Sequence, residues 1–221
     1  MAAEYEKLIT VANPRSPISE AYRTLRTNVQ FSSLDRPLKT LLVTSASPEE
    51  GKSTTLANLA VTFAQAGSSV ILVDSDLRRP SLHKLFGLAN ERGLTSYMLA
   101  DPDDAPPVQS TGVERLQVVT SGPLPHNPSE LLGSQRIEKV IASLCCLADV
   151  VFFDCPPVAV VADAAVLGRK VDGCLLVVSA GKTRRDFALR AKRLLDKASV
   201  PVLGTVLNNA KVDAALYSYY E

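Results

Sequence analysis

The sequence predicts an α/β fold built on a doubly wound, mostly parallel sheet. Apolar, β-rich runs alternate along the chain with segments of helical periodicity, which is the order of a parallel sheet covered by helices on both faces. The apolar runs are nearly continuous, as expected of strands that are buried on both sides. Hydrophobic residues make up 46% of the 221 residues and charged residues 21%, so the chain can bury the core of one large domain.

Six strands and five helices are predicted in order along the chain. A helix over residues 18–31 comes first, with Ser19 as its N-cap, and the segment over residues 101–112 is an exposed loop because it is rich in Pro and Asp. The strands are predicted at residues 40–44, 69–73, 116–120, 150–153, 174–179 and 202–207. The other helices are predicted at residues 52–65, 128–144, 162–169 and 184–197.

Charge and composition exclude several classes of protein. The 24 basic and 23 acidic residues give a net charge of +1, so no general attraction to nucleic acid is expected. No apolar run approaches the ~18 residues of a membrane-spanning helix, and the first residues lack the pattern of a signal peptide. These features predict a cytoplasmic protein. The four cysteines lack the spacing of a disulfide framework or a zinc site, and we expect them to be small buried hydrophobes.

The most specific motif, ASPEEGKST, follows the first predicted strand. Small residues at a strand-to-helix turn let backbone N–H groups surround phosphate oxygens, and the helix directs its positive end at them. Lys52 is predicted to reach the β- and γ-phosphates, and the Ser53 hydroxyl to bind Mg²⁺. A chance strand–turn–helix is the alternative, which this context disfavours. The predicted nucleotide-binding residues of the loop are Ala46, Ser47, Glu49, Glu50, Gly51, Lys52, Ser53 and Thr54.

Acidic residues end two further predicted strands. Asp74 and Asp76 follow the second strand, and Asp154 ends the apolar run VVFFD. The carboxyl edge of a parallel sheet is where such folds bind ligands, and an acid at this position is typical of the distal Mg²⁺-binding residue of phosphate-loop enzymes. The alternative for the first pair is an acidic strand end that caps the next helix.

The three motifs AxxxxGKST, ILVDSDLR and VVFFDCPP together resemble those of the bacterial tyrosine kinases of capsule and exopolysaccharide synthesis. The resemblance runs from about residue 18 to the C-terminus and includes NPSELL at residues 127–132. It implies the phosphate-loop NTPase fold of the MinD and partition-ATPase group. Those relatives usually carry a signature lysine directly after the leading glycine of the loop, where this chain has Ser47.

The resemblance also implies the reaction and its residues. ATP and Mg²⁺ would be the cofactors, and tyrosines at the C-terminus would be phosphorylated in trans between subunits. Asp74 would accept or orient the tyrosine proton, and Asn208 would contact the adenine. Catalysis is assigned to Lys52, Asp74, Asp76 and Arg78, metal binding to Ser53, Asp76 and Asp154, and the phosphoacceptor role to Tyr217, Tyr219 and Tyr220.

Assembly is the last expectation that the resemblance carries. Glu20, Arg23 and Arg26 match the ExxRxxR oligomerisation helix of the family and predict a ring-like homo-oligomer; intrahelical ion pairs are the alternative. The expected organisation is an N-terminal segment (1–35), a kinase core (36–209) and a tyrosine-rich tail (210–221). The expected partners are a transmembrane activator, separate or fused, which would hold the chain at the inner face of the cell membrane, and a cognate tyrosine phosphatase.

Two other functions stay open on the sequence alone. One is an ATP-hydrolysing assembly switch of the MinD or partition type, in which any tyrosine phosphorylation is incidental. The other is a regulatory subunit that binds nucleotide without transferring phosphate. The presence of the lysine and of all the expected acids counts against the inactive subunit, and the tyrosine cluster favours the kinase over the switch.

Overall fold

The structure, a computed structural model, describes residues 5, 8–32, 37–100 and 104–211. In these ranges the strands are β1 (Thr40–Ser45), β2 (Val70–Asp74), β3 (Gln109–Ser110), β4 (Leu116–Val119), β5 (Val150–Asp154), β6 (Gly173–Ser179) and β7 (Val202–Asn208). The helices are α1 (Ile9–Ala12), α2 (Pro17–Phe31), α3 (Lys52–Gln65), α4 (Leu82–Phe86), α5 (Leu94–Leu99), α6 (Pro128–Gly133), α7 (Gln135–Cys145), α8 (Asp163–Gly168) and α9 (Arg185–Lys197). None of these helices is both long enough and apolar enough to span a membrane.

All the strands belong to one sheet, in the order β3-β4-β2-β5-β1-β6-β7. Every pairing is parallel except that of β3 with β4. β1 lies between β5 and β6, and β5 lies between β1 and β2. The carboxyl ends of β1, β2 and β5 therefore meet at one edge of the sheet, and the three sequence motifs lie at that edge.

The core is divided between the two faces of the sheet. Successive side chains of a strand point to opposite faces, so Leu41 and Phe152 join one buried cluster while Leu42 and Phe153 join the other. The first cluster includes α3, where Phe63 packs edge-on against Phe152 with ring centroids 5.1 Å apart. The second includes residues of α7, α8 and α9. The predicted doubly wound sheet is confirmed.

The prediction of one helix over residues 128–144 is wrong. Two helices, α6 and α7, replace it, because Ser134 between them has an extended backbone with φ −69° and ψ 163°. A side chain on Gly133 would come within 3.3 Å of Val166 on α8. The glycine thus allows α6 and α8 to pack closely at the point where the chain breaks.

Smaller differences have local causes. The N-cap of α2 is Ser16, not Ser19: the Ser16 Oγ accepts the Ser19 backbone N–H at 3.1 Å, and Pro17 begins the helix. Within the predicted loop over residues 101–112, β3 pairs with β4. Cys146 is exposed because it follows the last turn of α7, whereas Cys155 and Cys174 are buried as predicted. The short elements α1, α4, α5 and β3 were not predicted.

Candidate active site

The phosphate loop connects β1 to α3 and has a backbone that the sequence dictates. Gly51 adopts φ +85°, and a Cβ at this position would lie 2.2 Å from the Asn208 Nδ2. Only glycine satisfies both conditions, because L side chains rarely adopt that conformation. The Asn208 Nδ2 donates a hydrogen bond to the Glu50 carbonyl at 2.9 Å. Asn208, predicted to contact adenine, thus lies against the phosphate loop at the end of β7.

Glu50 stabilises the phosphate loop through hydrogen bonds of its buried carboxylate. Its carboxylate is almost wholly buried, with a residue exposure of 1%. One oxygen accepts the Ser47 backbone N–H at 2.9 Å, and the other accepts the Thr183 hydroxyl from the segment after β6. Because a buried carboxylate is costly unless it is hydrogen-bonded, these bonds hold the loop in one shape. Thr183 is a residue that the sequence analysis missed, since no local pattern links it to the loop.

Lys52 lies between two acids at the carboxyl edge of the sheet. Its Nζ is 3.0 Å from the Asp76 Oδ2 and 3.1 Å from the Asp154 Oδ1. Ser53 donates its hydroxyl proton to Asp154. The predicted phosphate-binding lysine and the three predicted metal-binding residues therefore form one cluster.

Burial and charge act in opposite directions in this cluster. Burial alone would lower the pKa of Lys52, but Asp154 and Asp76 outweigh it, so the pKa of Lys52 is raised and the ammonium stays charged. Burial raises the pKa of Asp154, while Lys52 and Ser53 partly offset that rise. The two carboxylates thus hold the lysine at the position where the negatively charged phosphates of a nucleotide would bind it.

The oxygen atoms of this cluster fit a magnesium ion. Mg²⁺ prefers oxygen ligands and is usually held by one or two protein groups together with substrate phosphates and waters. The Ser53 hydroxyl and the Asp154 and Asp76 carboxylates supply such oxygens. Among the residues that the structure describes, no group of three or more His, Cys, Asp or Glu side chains forms a closed metal site. An open site that relies on nucleotide phosphates is the arrangement that the residues support.

Asp74 has a different environment from Asp76. It is fully buried, and its Oδ2 accepts the backbone N–H groups of Ser81 and Leu82, both at 2.9 Å. Asp74 thus caps α4, the alternative considered for it, while its Oδ1 has no hydrogen-bond partner among the described residues. Burial and the negative charge of Asp154 raise the pKa of Asp74 to about 7, against the lowering effect of the two backbone donors.

A cleft of about 550 Å³ opens above this cluster. Of the predicted loop residues, Glu49, Gly51, Lys52, Ser53 and Thr54 line it. Ala46, Ser47 and Glu50 do not line it within the part of the chain that the structure describes. Further lining residues come from the segment after β2 and the segment after β5: Asp76, Arg78, Arg79, Ser81, Pro156, Pro157, Val160 and Val161.

Several of these residues were missed in the sequence. The Pro156–Pro157 pair follows Asp154 in the quoted motif VVFFDCPP, so its place beside the cleft could have been inferred from strand position. Val160 gave no such signal, although it is 62% exposed beside the cleft. An exposed valine beside a charged cluster gives the cleft one apolar wall.

The predicted oligomerisation residues do not join the cleft. Arg23 pairs with Glu20 one turn away, and its Nη2 donates to the Pro14 carbonyl at 2.6 Å. The Arg26 Nη1 donates to the Thr62 carbonyl of α3 at 2.9 Å. The predicted phosphoacceptors Tyr217, Tyr219 and Tyr220 lie outside the described residues.

The fold and the site define the class of protein. A phosphate loop after β1, a lysine at the end of that loop and acids at the ends of β2 and β5 are the parts of a phosphate-loop NTPase. The ParA family model, described as "NUBPL iron-transfer P-loop NTPase", matches residues 38–215. The predicted fold group is therefore confirmed.

Known proteins narrow the class to a family. The tyrosine-protein kinase YwqD of Bacillus subtilis (strain 168) is 46% identical over 214 residues, which cover 96% of this chain and 90% of the relative. The solved chimerical protein CapA2B2 superposes with a TM-score of 0.88 at 37% identity, covering 95% of this chain and 92% of the other. The kinase domain of the Escherichia coli tyrosine kinase ETK superposes with a TM-score of 0.85 at 33% identity, covering 93% and 82%. The chain belongs to the bacterial tyrosine kinases, and the predicted enzyme class, a protein-tyrosine kinase, is confirmed.

Proposed function

We propose that this kinase uses Mg-ATP to phosphorylate C-terminal tyrosines of a neighbouring copy, and that this autophosphorylation regulates capsular or exopolysaccharide synthesis and export. The observation that carries the proposal is the position of Lys52 between Asp76 and Asp154 at the mouth of a phosphate loop. The regulatory role is supported by the resemblance of the motifs to kinases of those pathways.

The residues of the cleft divide the work of transfer. The loop N–H groups and Lys52 bind the phosphates, and Lys52 exchanges its two carboxylates for phosphate oxygens. Ser53 and Asp154 would hold Mg²⁺, with Asp76 in its outer shell; the ion supplies charge that neutralises the β- and γ-phosphates. The tyrosine oxygen forms a bond to the γ-phosphorus as the bond to the β-phosphate oxygen breaks, and ADP leaves.

The proton of the tyrosine must leave during this step, because a free tyrosine has a pKa near 10. We assign the accepting or orienting group to Asp74. Its Oδ1 has no hydrogen-bond partner within the described ranges and its pKa is about 7, and both support that assignment. As the bond to the γ-phosphorus forms, the proton would pass from the tyrosine oxygen to the Asp74 Oδ1.

The three tyrosines elsewhere in the chain are engaged by the fold, which favours the tail as the acceptor. The Tyr5 ring stacks on Phe86 with centroids 6.1 Å apart, and the Tyr97 hydroxyl lies 3.2 Å from the Ser143 hydroxyl. Burial raises the pKa of Tyr22, which makes its hydroxyl a weaker source of phenolate.

Mass spectrometry after incubation with Mg-ATP tests the acceptor sites. Changing Tyr217, Tyr219 and Tyr220 together to Phe should remove most of the incorporated phosphate. The matched control changes Tyr5, Tyr22 and Tyr97 to Phe and should label like the wild type. Undiminished labelling of the first variant would reject the proposed acceptors. ATP hydrolysis without phosphotyrosine formation would favour the assembly switch. Nucleotide binding without either reaction would favour the regulatory subunit.

The proposal extends to partners. We expect a homo-oligomer built through Glu20, Arg23 and Arg26, a transmembrane activator that places the kinase at the inner face of the membrane, and a tyrosine phosphatase that reverses the reaction. Each phosphate adds about −1.5 to −2 charges, so tail phosphorylation should weaken the assembly. Light scattering of the unphosphorylated and phosphorylated forms tests this. The same monomer in both states, at all concentrations, would reject it.

A further inference from the structure

Arg78 is anchored more firmly than an exposed arginine usually is. It lies on the cleft wall between β2 and α4, with 40% of its side chain exposed. Its Nε donates to the Asp163 Oδ2 at 2.8 Å and its Nη2 to the Asp163 Oδ1 at 3.1 Å. Two parallel bonds to one carboxylate fix the plane of a guanidinium as well as its position.

Asp163 is a buried partner from a distant part of the chain. It is the first residue of α8, its exposure is 0%, and it lies 85 positions from Arg78. Ser129 of α6 completes the contact, because its hydroxyl donates to Asp163 and accepts the Arg78 Nη2 at 3.1 Å. Ser129 belongs to the NPSELL segment, to which the proposed reaction gives no role.

The bonds leave part of the guanidinium available. An arginine has five N–H donors; Asp163 and Ser129 engage the Nε and the Nη2. The Nη1 group donates to no residue among those that the structure describes. The hydrogen bond to Asp163 is the main cause of a raised pKa of Arg78, so the guanidinium stays protonated on this wall.

We propose that Asp163 and Ser129 are positioning residues that hold the Arg78 guanidinium so that its Nη1 meets the phosphoryl group being transferred. The inference rests on the proposed function for the identity of the reaction. It adds two residues from α8 and α6 that contact neither the phosphate loop nor the metal-binding residues. Misplacing a charged group by about 1 Å can reduce a rate on the order of 100-fold, so the support matters as much as the arginine.

A double-mutant cycle separates positioning from a structural role. Arg78→Ala and Asp163→Asn should each reduce the tyrosine phosphorylation rate at saturating Mg-ATP by about 10- to 100-fold. The double variant should be no worse than the poorer single variant by more than about threefold, because Asp163 acts only through Arg78. A double variant whose loss is the product of the two single losses would overturn the inference.

Asp172→Asn is the matched control. The Asp172 Oδ2 accepts the backbone N–H groups of Lys39 and Thr40, which lie at the start of β1, away from the cleft. This variant removes an equally well-bonded carboxylate, and by itself it should leave the phosphorylation rate within about twofold of the wild type. A loss in Asp172→Asn as large as that in Asp163→Asn would mean that removing a bonded carboxylate anywhere slows the kinase, and the inference would be overturned.

Ser129 supplies a conservative rescue. Ser129→Ala should slow phosphorylation by about two- to tenfold, because Asp163 keeps its two bonds to Arg78 but loses its third. Ser129→Thr retains the hydroxyl and should restore the rate to within about twofold of the wild type. Equal losses in both variants would count against a role for the hydroxyl.

A binding experiment needs no catalysis. The non-hydrolysable analogue AMP-PNP carries a γ-phosphoryl group and ADP does not. With Mg²⁺ present, Arg78→Ala and Asp163→Asn should weaken AMP-PNP binding about fivefold or more relative to ADP binding. An unchanged ratio of the two affinities would overturn the inference. If the wild type shows no tyrosine phosphorylation, the proposed function fails by itself, and this ratio still tests the positioning of Arg78.

Discussion

The carboxyl edge of the sheet and the helix α2 both carry charged residues, but they satisfy those charges in different ways. At the sheet edge, Lys52 pairs with Asp154, 102 positions away. On α2, Arg23 pairs with Glu20 only three positions away. Long-range pairing gathers opposite charges in a cleft, whereas local pairing needs no tertiary structure.

The difference shows which contacts a ligand can replace. Breaking a buried ion pair by removing one partner leaves an uncompensated charge. Lys52 can therefore leave its carboxylates only when phosphate oxygens pair with its ammonium and a metal ion takes its place beside the carboxylates. The Arg26 bond to Thr62 joins α2 to α3, and within the part of the chain that the structure describes no carboxylate pairs with Arg26. The first region is built to exchange partners, and the second is built to keep them.

Lys52→Met should have the largest effect and would test the first half of this comparison. We expect phosphorylation to fall by at least about 100-fold, because the variant removes a charge aimed at the transferred group. The control is Lys182→Met: the Lys182 side chain is 54% exposed, and its Nζ donates to the Glu49 carbonyl at 3.1 Å. It should stay within a fewfold of the wild-type rate. Initial rates of phosphotyrosine formation measure both variants. Comparable losses of rate in the two would mean that the charge of Lys52 has no specific role in phosphate transfer.

Asp74 makes the stability of the cleft region depend on pH. Its pKa is about 7 in the folded chain against 3.8 when unperturbed, so the folded state binds more protons between these values. The free energy of unfolding should therefore fall as pH rises from about 4 to 7, by on the order of 2–4 kcal/mol. Asp74→Asn should flatten this decline and reduce the phosphorylation rate. Denaturant unfolding at several pH values measures the decline. If the stability of the wild type and that of Asp74→Asn fall in parallel with pH, the raised pKa of Asp74 is contradicted.

Arg26→Ala tests whether α2 serves the fold. The variant removes the hydrogen bond to the Thr62 carbonyl and should lower the free energy of unfolding by about 1–2 kcal/mol. The phosphorylation rate per folded subunit should change little at protein concentrations where assembly is complete. Urea unfolding provides the measurement. A stability equal to that of the wild type would contradict the role of Arg26 in the fold, and intact assembly in light scattering would remove Arg26 from the proposed interface.

Arg23→Ala should have the smallest effect on stability. The pair with Glu20 is partly exposed, with side-chain exposures of 30% and 45%, and such pairs contribute about 0.3–0.5 kcal/mol. Because the stability cost is small, any loss of assembly reports directly on the interface. Glu20→Ala is the matched variant and should behave alike. Intact oligomers in both variants would leave local pairing as the role of these residues.

The sequence was sufficient for the parts of the site that depend on strand order. Lys52, Asp76 and Asp154 each follow or end an apolar strand, and parallel strands bring their carboxyl ends to one edge. The spacing within each motif then predicted the cluster. The same reasoning predicted Asp74 at this edge, but not that two backbone N–H groups would occupy one of its oxygens.

Contacts between distant helices were beyond local patterns. Asp163 is the first residue of a six-residue helix, and nothing near it in the sequence points to Arg78. The sequence analysis missed the break between α6 and α7 for a related reason. The close packing of Gly133 against Val166 is a tertiary contact, which no local pattern shows. The short helices α4 and α5 have too few residues to display a period.

The order of the strands also limits how far the tail can reach. The chain leaves the sheet at β7, and the cleft wall that carries Arg78 follows β2. In the order β2-β5-β1-β6-β7 that wall is four strand spacings away, which is about 19 Å. From Lys211 to Tyr217 six residues extend at most about 20 Å. Tyr217 can thus reach this wall of its own subunit only if the chain between Lys211 and Tyr217 is fully extended. Tyr220 is three residues further along the chain and needs no such extension. Because Tyr217 depends most on the cleft of a neighbouring subunit, its phosphorylation should be lost first when the protein is diluted. The position of β7 at the edge of the sheet thus determines how strongly each tyrosine depends on a neighbouring subunit.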